Sequence, residues 1–212
     1  MTEGLRGAIG VFGGTFDPIH VAHLAIAEAA RDAFGLRRVL FIPAAEPPHK
    51  PGRQITAVEH RLAMVEVAIA GNVGFKVSRV EVDRPGPSYT VDTLEALRAV
   101  DSNDRLALIL SAESFAELPT WHDPERILEL AHVIVAPRDG YLAIDTVAVG
   151  RDTPLGGARI AHLDGPRIRL SASEIRERAA AGRSIRYLVP DAVAAYISDH
   201  ALYQDPRRTD RS

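Results

Sequence analysis

Short apolar runs alternate with longer helical patterns along most of this chain, and no other feature of the sequence limits the fold more strongly. Parallel strands need a long crossover connection, usually a helix, so this alternation predicts a doubly wound α/β fold with a mostly parallel sheet. We expect helices on both faces and a small helical part at the C-terminus. The predicted strands are Ala8–Phe12, Arg38–Pro43, Phe75–Glu81, Leu106–Ser111, His132–Ala136 and Arg159–Leu163, and the predicted helices are His20–Phe34, Thr56–Ala70, Thr90–Val100, Asp123–Leu130 and Asp191–His200.

The size of the chain predicts one domain. It has 212 residues, of which 46% are hydrophobic, enough to bury a sizeable core. No linker or internal repeat divides it, so we expect a single domain over residues 1–203. The segment Asp139–Gly157 has no clear helix or strand pattern, and the polar tail 204–212 is expected to be disordered.

The composition excludes several classes of function. The chain has no cysteine, which excludes disulfides, cysteine-bound zinc, iron–sulfur clusters and thiol catalysis. Its net charge of −3 lacks the basic surplus that nucleic-acid binding requires. We find no apolar run that could span a bilayer and no secretory signal pattern, so we expect a cytoplasmic protein without a membrane partner. No feature favours a particular oligomeric state.

The segment from Gly13 to His23 directly follows a predicted strand and enters a predicted helix. Ligands of open parallel sheets bind beyond the carboxyl ends of the strands, and glycines there let backbone amides approach an anion closely. A helix N-terminus adds partial positive charge. His20 and His23 are three residues apart and are expected to project from one helix face, so both could donate to the same phosphate. A structural histidine pair or a metal site remains an alternative, but zinc would need a third protein ligand at a recognisable spacing.

Two further segments carry candidate phosphate ligands. Ser171 and Ser173 begin a predicted short helix that also carries Arg176, in a stretch rich in arginine. Hydroxyls at a helix start and a guanidinium fork suit a phosphate, although a capped surface helix would look similar. Lys50 ends the stiff loop that begins at Pro43 and is one of only two lysines in the chain. A compact ammonium suits a phosphate, whereas an exposed lysine without a ligand is the simpler alternative.

These motifs resemble a known family. The stretch Gly-Gly-Thr-Phe-Asp-Pro-Ile-His is similar to the (H/T)xGH-type loop of the nucleotidyltransferase superfamily, in the form typical of bacterial nicotinate-nucleotide adenylyltransferases. The segment Ser171–Arg176 resembles the second superfamily motif, Ile-Ser-Ser-Thr-x-x-Arg, and the loop ending at Lys50 resembles Pro-x-x-x-Pro-x-His-Lys. The resemblance covers nearly the whole chain and implies a Rossmann-like nucleotidyltransferase fold.

The resemblance also implies the site residues. The catalytic candidates are His20, His23, Lys50 and Arg176; the ATP-binding candidates are Gly13, Gly14, Thr15, Phe16, Ser171, Ser173, Arg176 and Glu113; the mononucleotide-binding candidates are Tyr89, Thr90, Trp121 and Arg138. Trp121 is the only tryptophan and offers the largest aromatic face for a pyridine ring, although a core tryptophan is an alternative.

The sequence departs from the family in four places. In the second motif, Ala172 and Ser173 replace the middle Ser-Thr. Ala22 replaces a usual glycine, Asp139 replaces a usual proline, and Ser111-Ala112-Glu113 replaces Gly-Ala-Asp, whose aspartate contacts a ribose in the family. Glutamate is one methylene longer than aspartate, so this difference directly affects the ribose contact expected for Glu113.

The implied reaction joins the phosphate of nicotinic acid mononucleotide to the adenylyl group of ATP and releases pyrophosphate. Both substrates are anionic, so catalysis should depend on charge neutralisation and alignment, with Mg²⁺ bound through substrate phosphates and no dedicated protein metal site. The alternatives are an adenylyltransferase acting on the amide mononucleotide or on phosphopantetheine, and a nucleotide-binding module without catalysis.

Overall fold

The computed structural model of the protein describes residues 3–47, 55–137 and 159–204, and within these ranges six strands form one sheet. Every strand pairing is parallel, and the order is β3-β2-β1-β4-β5-β6. The predicted α/β class and parallel sheet are therefore confirmed. The strands are β1 (Ile9–Gly14), β2 (Arg38–Pro43), β3 (Phe75–Val77), β4 (Leu106–Ser111), β5 (Ala131–Ala136) and β6 (Ile160–His162).

Helices connect the strands and continue beyond β6. The α-helices of the described ranges are α1 (Val21–Phe34), α2 (Val58–Ile69), α3 (Thr90–Val100), α4 (Ala112–Glu117), α5 (Pro124–Leu130), α6 (Ala172–Ala180) and α7 (Asp191–Asp199), with 3₁₀ turns at Glu3–Leu5 and Leu118–Thr120. Among these described residues, no helix combines the length and the apolar character needed to cross a membrane.

Two sequence predictions about these elements were wrong. The short helix α4 was not predicted, because six residues give too few turns for a helical period. Strand β3 ends at Val77 instead of Glu81. The backbone N–H of Asp83 donates to the carbonyl of Arg79 at 2.9 Å, so the chain turns after the strand. Glu81, which is 7% exposed, lies within this turn.

Alternation along β1 divides the core between the two faces of the sheet. Ala8 and Phe12 belong to one buried cluster, which includes residues of α1, α2, α6 and α7. Ile9 and Val11 belong to the other, which includes residues of α3, α4 and α5. Successive side chains of a strand point to opposite faces, so a continuous apolar strand requires cover on both sides.

Helix α1 presents small side chains to the core. Ala22, Ala27 and Ala30 are at most 4% exposed. On β1, a Cβ added to Gly10 would lie 3.0 Å from a methyl of Val39. Gly10 thus allows close packing of β1 against its neighbouring strands.

The strand order places a topological switch point between β1 and β4. From these two neighbours the chain builds the sheet outward in opposite directions, through β2 and β3 on one side and through β5 and β6 on the other. Connections that diverge on either side leave a crevice at the carboxyl ends of the two strands. In this fold the crevice lies between Gly14 and Ser111, the last residues of β1 and β4.

Several predictions fall on residues that the structure does not describe. Lys50, Arg138, the segment 139–157 and residues 205–212 of the proposed tail lie outside the described residues. The single domain over residues 1–203 stays a prediction.

Candidate active site

A cleft of about 980 Å³ opens at this switch point, and most of the described candidate residues line it. The lining residues that carry the argument come from four segments: Gly13–Asp17 with His20 and His23; Glu81 with Ser88–Thr90 and Thr93; Ser111, Ser114, Trp121 and His122; and Arg169–Glu174 with Arg176. Stretches that are far apart in the sequence therefore share one cavity.

The two histidines at the start of α1 form a stacked pair. His20 is the N-cap residue, with φ −146° and ψ 170°, so it precedes the helix instead of lying on its face as the sequence predicted. His23 is in the first turn, and the two imidazole rings stack with centroids 3.7 Å apart and an interplanar angle of 17°. The two rings lie side by side, as expected. One belongs to an extended N-cap residue, however, and only the other belongs to a helical residue.

The hydrogen bond of His23 determines which of its nitrogens can donate. The backbone N–H of His20 donates to Nδ1 of His23 at 3.2 Å. In the neutral imidazole, an accepting Nδ1 places the proton on Nε2. His23, which lines the cleft, therefore has Nε2 as its donor atom.

Phe16 supports the histidine pair from the core side. Its backbone has a φ of 49°, a conformation that is uncommon for a bulky residue and that surrounding contacts must maintain. Its ring is 3% exposed and packs edge-on against His23 with centroids 5.1 Å apart. Phe16, which was predicted to bind ATP, lines the cleft, and its buried ring also positions the imidazole of His23.

The two glycines of the first motif have different neighbours. A Cβ added to Gly13 would meet no protein atom within 4 Å, so the space beside this backbone is open to a ligand. A Cβ added to Gly14 would lie 3.0 Å from the Phe16 ring, so a side chain there would displace the support of His23. The first glycine gives a ligand access, and the second permits the packing beneath it.

The second motif meets the first through Arg176. Ser171 is the N-cap of α6, and its hydroxyl accepts from the N–H of Glu174 at 3.2 Å. One guanidinium nitrogen of Arg176 donates to the carbonyl of Asp17 at 2.6 Å, and another donates to the hydroxyl of Ser173 at 3.1 Å. Two segments separated by 159 residues therefore form a single wall of the cleft.

Buried Arg61 holds the backbone of the first motif, although no pattern in the sequence marks this residue. It is 2% exposed and donates to the carbonyls of Thr15 at 2.8 Å, Thr56 at 2.8 Å and Ala45 at 3.3 Å. Burial lowers the pKa of Arg61, while the charge of Asp17 opposes that change. A guanidinium remains protonated in proteins, so this donor fork holds two loops permanently.

An aromatic group lies at another part of the cleft. Tyr89 precedes α3, Thr90 is its first residue, and Trp121 follows the 3₁₀ turn after α4. All three line the cleft and are half-buried. The ring of Tyr89 packs on His122 with centroids 4.6 Å apart. Three of the four residues predicted to bind the mononucleotide thus line one cleft, beside a histidine that was not predicted, and the fourth, Arg138, lies outside the described residues.

A buried carboxyl group organises this part of the cleft, and the sequence analysis missed it. The hydroxyl of Thr93 donates to Glu81 at 2.7 Å. Burial raises the pKa of Glu81, and hydrogen bonds from Thr93 and Ser88 partly offset this. The Ser88 hydroxyl also accepts from the N–H groups of Ala45 at 3.0 Å and Glu46 at 3.3 Å. These hydrogen bonds connect Ser88, which precedes α3, to the loop that leads towards Lys50.

The structure does not place Glu113 in the cleft wall. Glu113 lies in the first turn of α4 and is absent from the lining residues, whereas Ser111 and Ser114 line the cleft. The hydroxyl of Ser111 caps α4 by accepting from the N–H of Ser114 at 3.1 Å. The ribose contact of Glu113 stays a prediction.

The chain matches the family model described as cytidylyltransferase-like over residues 11–178. A protein of Thermomicrobium roseum named "probable nicotinate-nucleotide adenylyltransferase" is 48% identical over 92% of this chain and 91% of its own. A protein of Roseiflexus castenholzii with the same name is 50% identical over 93% of this chain and 98% of its own. The chain belongs to the nicotinate-nucleotide adenylyltransferase family.

Solved structures support the fold of this nicotinate-nucleotide adenylyltransferase family member. The nicotinic acid mononucleotide adenylyltransferase of Plasmodium falciparum, solved with NaAD, superposes with a TM-score of 0.78 at 17% identity, covering 93% of this chain and 98% of that one. A structure from Vibrio parahaemolyticus, described as a putative nicotinate-nucleotide adenylyltransferase, gives 0.66 at 15% identity, covering 94% and 97%. At such identities the likeness concerns the fold alone.

Proposed function

We propose that the protein transfers the adenylyl group of ATP to nicotinic acid mononucleotide, forming deamido-NAD and pyrophosphate in NAD biosynthesis. The observation that carries this proposal is the meeting of the two phosphate-binding motifs at Arg176, in a cleft that also contains Tyr89, Thr90 and Trp121. A site for one nucleotide alone would not need both a wall of polyphosphate-binding residues and a separate group of aromatic residues. The names of relatives that are nearly half identical to this chain support the same activity.

The reaction is an in-line substitution at the α-phosphorus of ATP. A phosphate oxygen of the mononucleotide forms a bond to that phosphorus, and the bond to the bridging oxygen of the β-phosphate breaks. Pyrophosphate leaves with the bonding electron pair. Because the acceptor phosphate is the nucleophile, the protein need not supply one, and its contribution is alignment and charge neutralisation.

Each motif has a separate part in this reaction. The Nε2–H of His23 and the ring of His20 stabilise the charge that builds on the α-phosphate, assisted by backbone amides of Gly13 and Gly14. Arg176 and Lys50 bind the polyphosphate. The second motif supplies the hydroxyls of Ser171 and Ser173, and Thr15 belongs to the same phosphate-binding loop.

The mononucleotide binds at the other part of the cleft. Trp121 and Tyr89 flank the pyridine ring, and Thr90 with neighbouring backbone amides at the start of α3 contacts its carboxylate. Arg138 binds the mononucleotide phosphate. This arrangement would place the acceptor phosphate between the aromatic group and the histidine pair.

Mg²⁺ enters this proposal with ATP. Magnesium retains several waters and usually binds through one or two carboxylates plus substrate phosphates, so it would reduce the charge of the triphosphate without a protein cage. Removal of Mg²⁺ by a chelator is expected to abolish turnover. We further propose that the protein acts in the cytoplasm, where both nucleotides are available.

Pyrophosphate release tests the proposal. The purified protein is assayed with ATP, Mg²⁺ and one acceptor at a time: nicotinic acid mononucleotide, the amide mononucleotide or phosphopantetheine. We expect the acid to give the highest kcat/KM. The highest value with phosphopantetheine or with the amide would overturn the assigned acceptor. Tight ATP binding without pyrophosphate from any acceptor would instead identify a binding module without catalysis.

A further inference from the structure

A half-buried tyrosine near the C-terminus contacts the first phosphate-binding motif. The hydroxyl of Tyr203 donates to Oδ1 of Asp17 at 2.7 Å, across a separation of 186 residues. Asp17 lies between Phe16 and Pro18 in the loop and is 5% exposed. Neither residue was singled out as a site residue from the sequence, and the mechanism above does not use either one.

Asp17 is held through all of its oxygen atoms. Its second carboxylate oxygen accepts from the backbone N–H of Thr56 at 3.3 Å and lies 4.0 Å from Arg176. Its main-chain carbonyl accepts from Arg176 at 2.6 Å. The orientation of Asp17 therefore sets the position of the guanidinium in the cleft wall. A buried carboxylate needs such donors, because an unpaired one would carry a large desolvation cost.

Tyr203 is suited to be a permanent donor to this carboxylate. Burial raises the pKa of its hydroxyl strongly, and the negative charge of Asp17 raises it further. The group therefore stays protonated and neutral throughout the physiological pH range. Its ring packs against the core cluster beneath α1 and α2, with the hydroxyl 3.9 Å from the sulfur of Met64. The hydroxyl has a fixed location from which to orient Asp17.

We propose that Tyr203 is a positioning residue for the triphosphate-binding part of the cleft. It orients Asp17, and Asp17 in turn holds Arg176 and the loop that precedes the histidine pair. Tyr203 does not line the cleft, so it acts through Asp17 without touching the nucleotide. The kinetic test of this inference rests on the proposed function, because it needs the acceptor. The binding of ATP can be measured without an acceptor.

The test compares Tyr203→Phe with the wild type in kinetics, ATP binding and thermal unfolding. Phenylalanine keeps the ring and removes only the donor to the carboxylate. A hydrogen bond to a charged group of this kind corresponds to about tenfold in an equilibrium constant. We expect KM and Kd for ATP to rise about tenfold, while KM for the mononucleotide changes less than about twofold.

Two other tyrosines provide matched controls. Tyr187 is 75% exposed, so Tyr187→Phe should leave both KM values unchanged. The hydroxyl of Tyr196 lies 3.0 Å from Nδ1 of His60, a contact between α7 and α2 outside the cleft lining. Tyr196→Phe therefore also loses a partly buried hydrogen bond of a tyrosine hydroxyl, here to an imidazole, and should lower the unfolding temperature without changing KM for ATP.

A purely structural role for Tyr203 would give a different result. Tyr203→Phe would then behave like Tyr196→Phe, with a lower unfolding temperature and ordinary ATP constants, and this would overturn the proposal. A double-mutant cycle with Asp17→Asn adds a second test. If Tyr203 acts through Asp17, the double variant should bind ATP about as well as Asp17→Asn alone. Additive losses of ATP affinity in the double variant would contradict the inference. These Kd values for ATP do not depend on the acceptor, so they remain valid if the assigned acceptor is wrong.

Discussion

The two parts of the cleft are built in different ways. The triphosphate part uses two local motifs, in which residues close in sequence already form the binding unit: the stacked His20 and His23, and the Ser171 cap three residues before Glu174. The mononucleotide part depends on partners from distant segments, such as Ser88 with Ala45, 43 residues away. A local unit leaves a recognisable sequence motif. A group of residues that is assembled by tertiary packing leaves a much weaker pattern in the sequence.

The two parts also differ in charge. Arg176, Arg169 and the two histidines line the triphosphate part, together with Glu174 and Asp17. The carboxylate of Asp17 already accepts from Tyr203 and Thr56. The mononucleotide part contains aromatic rings and the buried carboxyl of Glu81, whose pKa is raised mainly by burial. A polyanion therefore fits one part better than the other, and separate substitutions should affect the two substrates separately.

The largest effect is expected for His23→Ala. It removes the Nε2 donor and one ring of the stacked pair, so kcat should fall by about 10²–10³-fold, the usual cost of removing a donor that stabilises transition-state charge. Steady-state pyrophosphate release measures this fall. His200→Ala is the matched control, because this exposed histidine lies outside the cleft lining. A kcat for His23→Ala within a few-fold of the wild type would rule out its catalytic role.

An intermediate effect is expected for Ser88→Ala. The change removes the acceptor of the Ala45 and Glu46 amides, each worth about 0.5–1.5 kcal/mol. KM for the mononucleotide should rise about five- to tenfold, with KM for ATP nearly unchanged, the reverse of the Tyr203→Phe pattern.

Ser184→Ala is the control for this prediction, because the Ser184 hydroxyl accepts a backbone N–H, that of Arg186, on an exposed surface. It should change neither KM. If Ser88→Ala raised both KM values equally, the proposed independence of the two parts would be wrong.

The smallest effect is expected for Ala22→Gly, which restores the residue usual in the family. Ala22 lies in the first turn of α1 and is 4% exposed. Glycine should lower the free energy of unfolding by about 0.5–1 kcal/mol, because it is a poorer helix former. Thermal denaturation measures this loss, and kcat should stay within about twofold. A large gain in kcat would show that the methyl group hinders the nucleotide.

The sequence predicted the features that have a period or a local motif. The parallel sheet followed from the strand–helix alternation, and the convergence of His20, His23 and Arg176 followed from motifs at the ends of strands and the starts of helices. The exact geometry of the histidines did not follow, because an extended N-cap and a helical residue look alike in sequence.

The missed residues act through long-range contacts. In the sequence, Arg61 looks like a surface arginine of a helix, and Tyr203 is simply the last residue of the predicted domain. Only the tertiary structure brings them into contact with the first motif. Glu81 was assigned to a strand because alternation cannot distinguish a strand residue from one buried by a turn. Glu113 was assigned by its place in a motif, and a six-residue helix places it outside the cleft wall.

A crystal structure with a non-hydrolysable ATP analogue and nicotinic acid mononucleotide would show whether both motifs bind the same triphosphate. We predict one triphosphate in contact with both Nε2 of His23 and the guanidinium of Arg176, and the pyridine ring against Trp121. A triphosphate bound by only one of the two motifs, or a mononucleotide bound away from Trp121, would contradict the account.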